Sequence, residues 1–364
     1  MKACIITFQY ARNYGAMLQA YALKHRIETM GHQCQIIDYV PEKEACQQSS
    51  IFMPFSGYKS YIVNAFSILH YSKLKRCTQG FRRFAENYFD LTPRYSTLEE
   101  LKLNPPKADI YITGSDQVWN CSNGVDPAYF LEFGKKYVKR YSYAASIGRG
   151  NISKEYHAQI AQALDKFNGI SVREETAQKI LNEISDLECD VHLDPVFLLS
   201  QEEWSSIALP YQIKKPYILC YSLSTNHIFN KNLLALKRKT GLEIVEICAT
   251  GFSKVKSDKR LFDVSPQEFL SLVKNAEYVF TSSFHGAAMS ILFNRNFYTC
   301  NNGVGSSRID DLLEKFDLQY RNIANTDILE NGIDYINYVN HNVMIQKEKQ
   351  NALEYLFRIL NDVI

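Results

Sequence analysis

Residues 3–40 read ACIITFQYARNYGAMLQAYALKHRIETMGHQCQIIDYV, and the order of patterns inside that stretch decides the fold class. Residues 3–8 form an apolar run of strand length. A polar loop carrying Asn13 and Gly15 follows, residues 16–30 repeat apolar side chains at helical spacing, and residues 34–40 turn apolar again. Strand, loop, helix, strand is the unit from which parallel sheets are built. The alternation resumes downstream: strands at 109–113, 139–143 and 169–172, helices at 154–167 and 174–184, and a short apolar stretch at 191–193. Near Leu209 and Pro210 the chain starts again, with strands at 217–222, 243–247 and 278–281, helices at 231–240 and 266–274, and a helix after His285. The predicted class is α/β: two doubly wound domains whose parallel sheets face a cleft, where ligands bind beyond the carboxyl ends of the strands. The boundary falls between Leu199 and Pro216. Residues 1–205 and 206–345 make the two domains, and 346–364 form a last helix that is expected to return to the first.

The chain has 364 residues, which suits roughly two domains of about 150 residues. A net charge of +2 makes no general case for nucleic acid, so any anion site must be local. Nine cysteines, an odd number without a CxxC pair, read as buried reduced thiols, and the dispersed histidines give no zinc pattern, so no metal is expected. Neither a signal peptide nor an apolar run of about 20 residues is evident, and a cytoplasmic protein is expected. Between residues 42 and 91 the pattern weakens. Residues 61–74 can form an amphipathic helix whose far end carries Lys73, Lys75, Arg76, Arg82 and Arg83. That is either a solvated face or a contact with a membrane surface or an anionic lipid-linked molecule.

The segment YVFTSSFHGAAMSILF at 278–293 ends a strand in hydroxyl residues and opens a helix at His285-Gly286. Free backbone N–H groups and the helix dipole there favour phosphate or carboxylate, and His285 can add a charged hydrogen bond or move a proton near neutral pH. Gly286 would let a ligand approach the backbone. The plainer reading has the helix capped through Ser282 or Ser283. Arg173, at the end of another strand, can fork onto an anion or pair with Glu174 or Glu175. Arg308 opens a helix after a Gly- and Ser-rich loop and needs an anionic partner, either Asp310 and Asp311 or a bound phosphate. In the first domain, Asn13-Tyr14-Gly15 and Ser115-Asp116-Gln117 with Trp119 follow strands, and polar groups beside aromatic rings suit a sugar. Asp116 can act as a base toward a sugar hydroxyl or cap a helix. The glycines form neither GxGxxG nor a Walker loop.

Five stretches, in order, resemble the recurring motifs of polysaccharide pyruvyl transferases: NYGAMLQ at 13–19, ITGSDQVW at 112–119, SVRE at 171–174, LDP at 193–195 and SFHG at 283–286. The resemblance implies a GT-B-like fold of two Rossmann-like domains. It implies phosphoenolpyruvate as co-substrate, with no cofactor, and a sugar acceptor, lipid-linked in some settings, in capsule, exopolysaccharide or cell-wall polymer assembly. Donor binding then falls to Arg173, Ser283, His285, Gly286 and Arg308, with Arg308 standing where relatives often carry lysine. Acceptor binding falls to Asn13, Tyr14, Gly15, Ser115, Gln117 and Trp119, and chemistry to His285 and Asp116. Two rival expectations are a nucleotide-sugar glycosyltransferase of the same architecture and a non-catalytic sugar-binding relative.

Overall fold

The computed structural model describes residues 1–42, 51–52, 58–148, 150–248, 255–300, 307–324 and 334–362. The first sheet is parallel, in the order β2-β1-β3-β4, from β1 (Lys2–Ile6), β2 (Gln33–Ile36), β3 (Ile110–Thr113) and β4 (Lys139–Ser142). A parallel pair, β5 (Ile170–Val172) and β6 (Cys189–Val191), continues it through bridges from Tyr141 to Gly169 and from Ala145 to Val172. The ladder is broken there because the Ser142 hydroxyl stands between the strands, accepting from Ser171 N at 2.8 Å and donating to Ser171 O at 3.0 Å.

The second sheet, also parallel, runs β11-β10-β7-β8-β9, from β7 (Tyr217–Tyr221), β8 (Glu243–Ile247), β9 (Lys259–Leu261), β10 (Tyr278–Thr281) and β11 (Asn296–Thr299). Both sheets are doubly wound. The strand order reverses around β1 and β3 in the first and around β7 and β10 in the second, and such points open the crevices that take ligands.

Twelve helices occupy the described residues: α1 (Tyr14–Thr29), α2 (Tyr58–Leu69), α3 (Tyr71–Tyr88), α4 (Leu98–Leu103), α5 (His157–Leu164), α6 (Glu175–Ile184), α7 (Gln201–Ile207), α8 (His227–Thr240), α9 (Pro266–Lys274), α10 (Phe284–Leu292), α11 (Ser307–Lys315) and α12 (Tyr338–Asn361). Their starts follow local rules. Asn13 caps α1 by accepting from Gly15 N and Ala16 N, and Ser265 with Glu268 forms a capping box ahead of Pro266. α12 begins beside the second sheet, where Tyr338 Oη donates to Arg295 O, and ends on the first, where Tyr355 Oη donates to Ser142 O at 2.8 Å. There Ala352, Leu356 and Ile359 share a core with Ile5, Ile110 and Ile112.

The two sheets are joined by one large apolar cluster. Tyr14, at the start of α1, stacks on Phe269 of α9 with ring centroids 4.7 Å apart and donates to Val264 O at 3.1 Å. α3 lies against the same part of the second domain, with Arg76 pairing with Asp263 and Glu268. This corrects the single helix expected at 61–74: two helices meet at His70, and one member of the expected basic face is tied to the second domain. Arg82 pairs with Glu86. None of the described helices is long and apolar enough to cross a membrane, and the described cysteines are free thiols.

Candidate functional site

The carboxyl end of β5 and the amino end of α10 meet at a buried carboxylate. Asp194, fully buried after β6, accepts from Arg173 Nη1 at 2.7 Å and from Ser115 Oγ at 3.1 Å through Oδ2. His285 Nε2 lies 3.3 Å from the same oxygen, close enough for ion pairing but off the line of a hydrogen bond, so that nitrogen has no hydrogen-bond partner. Oδ1 accepts from Val196 N at 3.1 Å, which fixes the carboxylate in a short turn beginning at Pro195. Burial alone would raise the Asp194 pKa. The charges of His285 and Arg173 outweigh it and hold the group well below the ordinary carboxylate range.

Arg173 is buried, its guanidinium 4.2 Å from the Phe284 ring centroid. Its Nε is 3.5 Å from Glu174, a marginal contact, and its Nη2 has no partner. The expected ion pair with Glu174 or Glu175 is therefore replaced in the main by Asp194; Glu174 is occupied with Ser146 Oγ and Ile147 N. Arg308, in the first turn of α11, lines the same pocket as Arg173, Asp194 and Phe284. Burial, and next the neighbouring Arg173 cation, lower its pKa, and its Nε is buried without an acceptor. The carboxylates expected to neutralise it are engaged elsewhere, Asp311 with Thr176 and Asp310 with Asn322. The loop at 301–306, expected to flank Arg308, lies outside the described residues. Two arginines from different domains thus face one pocket with donors left over, which costs roughly 1–3 kcal/mol for each unmet buried group unless an anion arrives.

Ser283 caps α10, accepting from Gly286 N at 3.4 Å. Gly286 is also required by packing, since a Cβ there would come 2.3 Å from Thr281 Oγ1. Gly15 touches the site from the other domain: a Cβ on it would fall 2.0 Å from His285 Nδ1. Asp116 caps no helix, because none follows β3. It holds a left-handed φ of 77° and accepts from its neighbour Gln117 N at 2.8 Å. Its charge reaches both Arg173 and Arg308.

The rings expected to hold a sugar do not face the cleft. Tyr14 belongs to the core between the sheets, and Trp119 is 1% exposed, stacked on Phe130 with its Nε1 donating to Tyr129 O at 3.0 Å. Asn13 is occupied with its cap, and Gln117 Oε1 accepts from Asn120 Nδ2. Trp119→Ala should therefore cost about 3–5 kcal/mol of stability in urea denaturation; an unchanged midpoint with weakened sugar binding would put the ring at a ligand instead. Asp194 was the residue that sequence reasoning missed as a site member, although the Leu193-Asp194-Pro195 stretch marked its position.

Two parallel, doubly wound domains meeting at a cleft define the class of fold used by GT-B glycosyltransferases and related epimerases. A structure from Listeria monocytogenes named for a UDP-N-acetylglucosamine 2-epimerase superposes with a TM-score of 0.55 at 9% identity, covering 100% of this chain and 97% of that one. Looser likenesses are a UDP-GlcNAc 2-epimerase from Neisseria meningitidis, with a TM-score of 0.45, 11% identity and 98% and 100% coverage, and the glycosyltransferase SnogD from Streptomyces nogalater, with a TM-score of 0.41, 10% identity and 97% and 95% coverage. Among curated proteins none matches. The sequence model of the polysaccharide pyruvyl transferase family matches residues 13–303, and the chain belongs to that family.

Proposed function

We propose that this protein transfers the enolpyruvyl group of phosphoenolpyruvate to a sugar and closes a pyruvate ketal on two of its hydroxyls, in the assembly of a capsule, exopolysaccharide or cell-wall polymer on the cytoplasmic side. The observation that carries the reading is the pair of buried arginine donors without acceptors, Arg173 Nη2 and Arg308 Nε, beside His285, whose Nε2 leans on Asp194. Phosphoenolpyruvate brings a carboxylate and a phosphate, enough oxygens to satisfy both arginines.

In the reaction the methylene carbon takes a proton, which leaves C2 electrophilic, and a sugar hydroxyl adds to C2 and gives up its proton. Phosphate then departs with the electron pair of the C2–O bond. A second hydroxyl adds, its proton is released, and the products are the ketal and inorganic phosphate. His285, held by Asp194, is the proposed acid toward the donor, and Asp116 the proposed base toward the acceptor. No step calls for a redox group or a metal.

Thermal shift with phosphoenolpyruvate and with nucleotide sugars, followed by acceptor-dependent phosphate release, tests this. Phosphoenolpyruvate should stabilise the wild type by several degrees at saturating concentration. His285→Ala should retain the fold by circular dichroism and lose phosphate release by about 10²-fold or more. Stabilisation by a nucleotide sugar alone would sink pyruvyl transfer.

A further inference from the structure

A second cleft opens at the carboxyl ends of β1 and β2, roughly 830 Å³ including its mouth, and none of the residues expected to bind a sugar lines it. Its floor is polar and built. Gln9 and Asp38 are 3% and 8% exposed. Gln9 Nε2 donates to Asp38 Oδ1 at 3.3 Å and to Tyr39 O at 3.2 Å, so the orientation of the amide is fixed by two acceptors. Its Oε1 is then left buried with no donor. Asp38 Oδ2 accepts from Arg94 Nε at 3.0 Å, and its backbone N–H donates to Thr92 Oγ1. An unmet acceptor at the bottom of a polar cleft calls for a hydroxyl, and Leu91 and Ala85 in the lining add the apolar surface that meets the C–H groups of a sugar.

The rim carries charge. Arg94 is balanced by Asp38 and Arg82 by Glu86. Arg12 donates only to Thr78 Oγ1, at 3.2 Å, and has no carboxylate within ion-pairing distance among the described residues. The cleft therefore presents hydroxyl-binding groups at its base and a spare guanidinium at its edge. It is tied through the chain to the proposed donor side. Arg12 directly precedes the Asn13 cap of α1, whose Gly15 abuts His285, and Thr7 Oγ1, two residues before Gln9, donates to Ser115 O beside Asp116 at 2.8 Å.

We infer that this cleft is the acceptor site and that it takes a hexopyranose bearing an anionic substituent, its ring hydroxyl on Gln9 Oε1 and its anion on Arg12. The assignment rests on the pyruvyl-transfer reading, whose acceptor it places. The anion can be a glycosyl phosphate or the carboxylate of a uronic acid; both are met by the same guanidinium.

Calorimetric titration of the full chain with glucose 1-phosphate, methyl glucuronide, methyl glucoside and inorganic phosphate tests the site without turnover. One of the two anionic sugars should bind at least tenfold more tightly than methyl glucoside, and which one does identifies the source of the anion. Arg12→Ala should weaken that binding about tenfold, with Arg12→Lys partly restoring it, while Gln9→Met should weaken sugar phosphate but not inorganic phosphate. Affinity for neither anionic sugar above that for inorganic phosphate and methyl glucoside, or no change in Arg12→Ala, overturns the assignment. Phosphoenolpyruvate is titrated in parallel. If its binding survives in Arg12→Ala while sugar binding falls, the two sites are distinct as inferred. If anionic sugars bind and phosphoenolpyruvate does not, this site stands and the proposed donor falls.

Discussion

Asp194→Asn should be severely damaging for so conservative a change, lowering stability by about 3–5 kcal/mol at neutral pH. The substitution keeps the shape and removes the charge from the point where Arg173, Ser115 and His285 converge. It leaves the fully buried Arg173 guanidinium without its principal counterion and turns an NH₂ toward groups that are themselves donors. The pH dependence has a defined sign. Because the folded pKa of Asp194 is depressed, the carboxylate contributes its stability above the ordinary value of 3.8 and loses it as pH falls through the folded value. Wild type and variant should thus differ fully at pH 7 and converge in strongly acidic solution. Phosphate release should fall by about 10²-fold or more, since Arg173 and His285, which we propose hold the donor, lose their common anchor. Urea denaturation at pH 7 and at about pH 3, where the gap should only have begun to close because the folded carboxylate is still ionised, checks the stability, and steady-state kinetics check the rate. A variant as stable as wild type at pH 7 would sink the role given to the carboxylate.

The framework was legible because it is periodic. The strand at 243–247, the helix at 266–274 and the strand at 278–281 were read to the residue, since apolar runs bounded by Gly, Pro and Ser leave little choice of register. The stretch at 114–138 was not legible. It has no regular period, and a polar loop beside Trp119 looks exposed, yet it folds inward and buries Trp119, Tyr129 and Phe130 while satisfying its backbone through turns such as Asn120 N to Gln117 O and a long-range bond from Trp119 N to Ser146 O. The weak pattern before residue 91 has a similar cause: α3 wedges its buried side between α1, where Phe84 meets Tyr21, and the second domain, where Gly80 meets Ser265, and Arg76 reads as surface charge until Asp263 and Glu268 are brought beside it. In the site, His285 and Arg173 are visible as cations at element ends. That they share Asp194 depends on the approach of two domains, which no local pattern encodes.

Gly15→Ala sets two effects against each other, and their sizes decide the outcome. Gly15 is the second residue of α1, where alanine is the better helix former by up to ~1 kcal/mol. The new methyl, however, would lie 2.0 Å from His285 Nδ1 and 2.2 Å from Cγ, well inside van der Waals contact. The imidazole has little room to yield, since it is 6% exposed and its far nitrogen already abuts Asp194. Either the ring tilts off the carboxylate or the first domain withdraws from the second, and a displacement of about 1 Å at a reacting group can cost 10²-fold in rate. The expected result is a loss of phosphate release near that size, with helicity intact by circular dichroism. A double-mutant cycle isolates the cause. In an His285→Ala background the methyl has space, so Gly15→Ala should become neutral or stabilising by up to ~1 kcal/mol, whereas the same cost in both backgrounds would place the strain in α1 itself and remove His285 from the contact.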